Sequence, residues 1–182
     1  MKFVFKILFF SISFAESYNM QLLGHLPFDQ QCSDITGFSL HGREIAVVGL
    51  YNGTAFVDIT DPQNPFELQR IDGEGSIWRD LKYWDSHVYI GTEAEMGVQV
   101  VDVSDLDNIH LVNTITDFDN SHNIHIWEGY LFIIGADDHN IWIYDLTQPE
   151  NPTLISTWDE EYLHDIDIPH TLRQRVSAPT SF

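Results

Sequence analysis

Positive charge is what this sequence has least of: 8 Lys and Arg stand against 28 Asp and Glu, a formal net charge of −20. Such a balance repels phosphate backbones and anionic bilayers, so nucleic acid and acidic membrane surfaces are excluded as partners. A cationic partner, a divalent cation or a plain solvated acidic surface is compatible with it. Cysteine is nearly missing too, with Cys32 alone. One thiol cannot staple the chain to itself, so Cys32 reads as a small buried apolar residue or as half of a bridge to sequence outside this chain. After the first fifteen residues no apolar run is long enough for a spanning helix. Helical periodicity is absent throughout. So are a phosphate-binding glycine loop, a nucleophile elbow, a CxxC pair and an HExxH pair, which removes the sequence signatures of several large enzyme classes.

What is present begins with an amino-terminal leader. Lys2 and Lys6 precede the run Ile7 to Phe14, and small residues stand at Ser13 and Ala15. This layout predicts a signal peptide over residues 1–15, a mature chain starting near Glu16, and a secreted, extracellular or cell-surface location.

The remainder is repetitive. The phrase Val57-Asp58-Ile59-Thr60-Asp61-Pro62 returns as Val101-Asp102-Val103-Ser104-Asp105 and as Tyr144-Asp145-Leu146-Thr147. An Asn follows each Asp six positions on, at Asn64, Asn108 and Asn151, and a glycine ends an apolar run at Gly49, Gly91 and Gly135. Each unit holds four short runs rich in β-branched and aromatic residues, punctuated by Gly, Asn, Asp and Pro. Four strands in a repeat of about 40–45 residues is a propeller blade signature. The predicted fold class is therefore all-β, a β-propeller-like array of four-stranded blades over residues 16–168. Three repeats are complete, at about 32–76, 77–119 and 120–161, and a fourth starts at 162–168. From residue 169 to 182 the alternation stops, as expected of a truncation, an unspliced intron, a frame error or a disordered tail. Three blades leave two faces bare, so missing blades or self-association are needed to cover them.

These stretches resemble the choice-of-anchor B proteins of bacteria and microbial eukaryotes, which carry LVIVD-type propeller repeats. The similar text includes GLYNGTAFVDITDPQNP, SIWRDLKYW, GVQVVDVSDL, NSHNIHIW and GYLFIIGADDHNIWIYDL, within roughly residues 19–168. The resemblance implies an exported propeller, anchored at the cell surface in some members, and no assigned reaction. The chain departs from the pattern after Ile168.

Candidate site residues come from aligning the first strand of each unit. One column reads Ser33, Arg79, His122, His164, the next Asp34, Asp80, Asn123, Asp165, and a third Thr36, Lys82, His125, Asp167. In a propeller these positions converge on the channel, so His122, His125, His164, Asp80 and Asp165 are predicted to ring one mouth. Imidazole with carboxylate suits a divalent transition metal such as zinc, copper or iron, or general acid–base work. The alternative is structural: such groups hydrogen-bond backbone amides and tie neighbouring blades together. His122 and His125, three apart, point to opposite faces of an ideal strand. The acidic turns Asp105 to Asn108 and Asp117 to Asn120 do not continue as calcium loops, and read as turns. Asn52-Gly53-Thr54 is a glycosylation sequon and equally a hairpin turn. Most tryptophans read as core, with a sugar-stacking subset that sequence does not single out. The expected function is an exported binding or scaffold module for a protein or glycan, without catalysis. The second expectation is a metal-dependent enzyme with a His/Asp site at the channel mouth, and the third a broken gene product with no function of its own.

Overall fold

A computed structural model describes residues 20–136, 141–159, 163–166 and 168. The predicted signal peptide and the 169–182 tail lie outside these residues. Among the described residues there is no helix, and three antiparallel four-stranded sheets account for the regular structure. The first holds β1 (Cys32–Leu40), β2 (Arg43–Leu50), β3 (Gly53–Asp58) and β4 (Phe66–Asp72). The second holds β5 (Arg79–Trp84), β6 (His87–Thr92), β7 (Val98–Asp102) and β8 (His110–Ile115). The third holds β9 (Asn123–Trp127), β10 (Tyr130–Ile134), β11 (Ile141–Asp145) and β12 (Thr153–Trp158). Every sheet is a meander in chain order, with β1 packed beside β5 and β5 beside β9. Of the expected fourth unit, residues 163–166 and 168 are described and carry no strand.

Local chemistry explains the regularity. Each first hairpin turns on two residues with positive φ: His41-Gly42, Asp85-Ser86 and Glu128-Gly129. Positive φ at both central residues is the turn whose twist matches the flanking strands. The repeated Asp ends the third strand of each sheet by accepting the backbone N–H two residues on. Thr60 N reaches Asp58 at 2.8 Å, Ser104 N reaches Asp102 at 2.7 Å and Thr147 N reaches Asp145 at 2.6 Å. The repeated Asn closes the following turn, its N–H donating to the carbonyl of Asp61, Asp105 or Gln148. One bulge recurs in each sheet just before that Asp, at Phe56/Val57, Val100/Val101 and Ile143/Tyr144.

The core lies between sheets. Val47, Phe56 and Ile71 of the first meet Leu81, Val88 and Val101 of the second. Tyr89, Val98 and Val100 of the second meet Leu131, Ile133 and Trp142 of the third. The central strands are buried on both faces, which is why they read as continuous apolar runs. The other face of the first sheet, Val48, Leu50 and Ala55, is covered by Leu26 and Phe28. The repeated glycines permit close approach: a Cβ on Gly91 would fall 2.8 Å from Ser121 Oγ and 2.9 Å from an Ile124 methyl at the next sheet's first strand. Cys32, expected either as a small buried residue or as half of an external bridge, is free and exposed.

The repeated carboxylates also set the acid limit of the fold. Burial alone would raise Asp58 and Asp102, but hydrogen bonds from Thr60 and Arg43 in one, and from Ser104 in the other, hold both below the ordinary 3.8. In Asp145 the Thr147 hydrogen bonds do the same at the surface. A depressed folded-state pKa contributes stability that is complete above the unfolded value and lost as pH falls through the folded one. The urea midpoint is therefore expected to hold near neutrality and to drop on acidification below about pH 4. A midpoint that stays level from about pH 5 to about pH 2.5 would contradict this assignment.

Candidate functional site

The first strands β1, β5 and β9 start at the same edge of the assembly, and a cleft of about 560 Å³ opens there. The predicted residues Asp80, His122, His125 and Asp165 line it together with Asp34, Trp78, Lys82 and Asn123. His164 stands alongside, its ring centroid 4.3 Å from that of His122 in an edge-on contact.

The carboxylates have structural partners. Asp34 Oδ2 accepts the Leu81 N–H of the next sheet at 3.0 Å, and Asp80 Oδ2 accepts the Ile124 N–H of the next at 2.7 Å. The repeat of one contact between successive sheets identifies the column as an inter-sheet tie, with the accepting oxygen replacing the strand pairing that first strands of separate sheets lack. In the third sheet Asn123 occupies the column, and its Nδ2 donates to Asp165 Oδ1 at 3.2 Å. Burial raises the Asp80 carboxyl against the opposing pull of Lys82, whose ammonium donates to Asp80 Oδ1, and of the Ile124 N–H.

The histidines take different neighbours. His122 Nδ1 lies 2.6 Å from Glu93 Oε1, and its ring stacks on Trp78 at 5.9 Å between centroids. His125 packs instead near Phe132, at 6.5 Å. No three of His122, His125, His164, Asp80 and Asp165 bring ligand atoms within 4.8 Å of one another, whereas His87, Asp102 and Glu150 do. Arg79, aligned with His122, turns away from solvent: it is 2% exposed and donates to the carbonyls of Leu50, Tyr51 and Glu74. Asn52, the sequon residue, is exposed at the β2–β3 turn, with its N–H on Gln30 Oε1 at 2.8 Å.

Trp78 of the cleft, and Glu93 beside its His122, are residues that the sequence alone does not single out. The sequence reads most tryptophans as core and does not single out an exposed subset; Trp78 belongs to that subset at 48% exposed, unlike Trp142 at 7%. Its signal is positional: it precedes β5, outside the strand repeat that buries other aromatics. Glu93 follows β6 and carries no repeat signal. No protein-family model matches this sequence, and no curated protein matches it.

Proposed function

We propose that the chain is an exported binding module of propeller type that holds a neutral glycan in the cleft beside Trp78. The observation that carries this reading is the half-exposed Trp78 indole set in a concave wall of polar groups. A pyranose offers an apolar C–H face and a rim of hydroxyls that both donate and accept. An indole suits the first, and Asn123, His125, Asp165 and Lys82 suit the second. The cleft volume falls within the usual range for small-ligand sites. The propeller reading is supported by the meander order of every sheet and by the side-by-side first strands, as around a channel. The resemblance to choice-of-anchor B proteins and the leader expected over residues 1–15 are in keeping with the same exported class.

The test is a glycan array of neutral plant, fungal and bacterial oligosaccharides, followed by calorimetry on the best ligand. Trp78→Ala is expected to weaken binding about 30-fold or more, since an aromatic anchor at the centre of a site is worth about 2 kcal/mol. Its unfolding midpoint should stay close to that of the parent. An array without signal, or a Trp78→Ala protein that binds like the parent, would overturn the reading.

A further inference from the structure

We propose that His87, Asp102 and Glu150 form a divalent transition-metal site that clips the second sheet to the third. The site shares no residue with the Trp78 cleft and does not rest on the glycan reading.

Antiparallel pairing sets His87, at the start of β6, directly opposite Asp102, at the end of β7. The equivalent pairs are Ile45 with Asp58 in the first sheet and Tyr130 with Asp145 in the third. The second sheet alone of these three puts an imidazole beside the repeated carboxylate. The charge balance differs as well. In the first sheet Arg43 Nε donates to Asp58 Oδ2 at 2.7 Å. The residue two places before His87, where Arg43 stands before Ile45, is Asp85, so no guanidinium reaches Asp102 from that position.

The imidazole is held for ligation. His87 Nδ1 lies 2.8 Å from the Asp85 carbonyl, a contact only an N–H can make, so the lone pair resides on Nε2. That Nε2 is fully buried and has no hydrogen-bond partner, in a residue that is 8% exposed. Glu150 Oε1 is 3.9 Å away, beyond hydrogen-bond reach. A histidine with Nδ1–H fixed on a carbonyl and Nε2 bare is the arrangement in which second-shell bonds orient a metal ligand.

Glu150 is delivered by the third sheet and positioned by the second. It sits in the β11–β12 connection, where Tyr89 Oη donates to Pro149 O and Asn113 Nδ2 to Glu150 O, each at 2.8 Å. One donor atom from each of the three side chains lies within 4.8 Å of the others. Ligands about 2.0–2.2 Å from one ion stand closer together than this, so the set must contract on binding. The contraction falls to Glu150, whose side chain is 55% exposed, while His87 stays fixed. One imidazole and two carboxylates suit zinc or manganese in preference to calcium, which takes oxygen ligands alone, and water completes the shell.

The experiment titrates the chelator-treated full chain with Zn²⁺ by calorimetry, with Co²⁺ absorption as a ligand-sensitive readout and thermal melts with and without Zn²⁺. The parent is expected to bind Zn²⁺ and to melt higher in its presence. His87→Gln and Glu150→Gln should each remove one zinc from the stoichiometry, or weaken it at least about tenfold, as outer-shell losses alone do. Both should lose the zinc-dependent rise in the melt, while a His122→Ala, His164→Ala double variant keeps it. Glu150→Gln changes an exposed side chain and keeps the backbone anchors, so it decides the matter if His87→Gln fails to fold. A parent that binds no zinc, or a folded variant of either ligand that binds like the parent, would overturn the proposal.

Discussion

Arg79→Ala should lower the unfolding free energy by about 3–5 kcal/mol, the largest loss expected of any substitution near the cleft. The guanidinium is buried, with Nε donating to Leu50 O at 2.7 Å and Nη2 to Tyr51 O at 3.0 Å and to Glu74 O. Leu50 and Tyr51 enter the β2–β3 turn, and Glu74 lies in the connection from the first sheet to the second, so one side chain joins both sheets through their backbones. Truncation takes the donor from the buried Leu50 carbonyl and from the carbonyls of Tyr51 and Glu74, of which Tyr51 O keeps the Ser76 N–H, and leaves a cavity besides. The native arrangement carries its own cost: no carboxylate pairs with Arg79 among the described residues, Nη1 has no partner, and burial pushes the guanidinium pKa down. Arg79→Met removes that buried charge and fills part of the volume, so it should lose less than Arg79→Ala. Arg79→Lys keeps the charge without the fork and should not restore the parent. Urea unfolding of the three variants at constant m-value gives the ranking. A loss under about 1 kcal/mol for Arg79→Ala would mean that water satisfies the carbonyls.

The repeat made the fold legible because each landmark has a mechanical duty inside one unit. The Asp that caps the third strand and the Asn that closes the next turn act within a few residues of themselves, so they recur wherever the strands recur. Columns that act between units were half legible. Asp34, Asp80 and Asp165 share one column of the repeat, but the column does not show that Asp34 and Asp80 each hold the N–H of the following sheet. The histidines of the same alignment meet at the cleft but take different neighbours, because His122 precedes β9 and stacks on Trp78 with His164 alongside, while His125 lies inside the strand near Phe132. The trio of His87, Asp102 and Glu150 was hidden for a related reason. It joins a strand start, the strand end opposite it and a loop of the next unit, positions 15 and more residues apart with no shared phase in the repeat.

Asp80 then separates a tie from a ligand. Asp80→Ala is expected to cost about 1–3 kcal/mol, because it leaves the part-buried Ile124 N–H without its acceptor. Asp80→Asn retains a carbonyl oxygen in the same place and should cost under about half as much. Asn123 of the third sheet stands in the same column, so an amide side chain is accommodated at that position, although there it donates to Asp165. If Asp80 served chemistry through its charge, the two variants would be equally damaging to function and nearly neutral in stability. The pH response adds an independent sign. Burial raises the folded-state pKa of Asp80 above 3.8, so its titration contributes stability that is complete below the unfolded value and is lost as pH rises through the folded one. That contribution opposes the acid lability set by Asp58 and Asp102. Asp80→Asn abolishes it, and the urea midpoint of this variant should consequently fall more steeply than the parent's on acidification through about pH 4. A parallel pair of pH curves, together with equal losses for alanine and asparagine, would refute the role of Asp80 as the tie between β5 and β9.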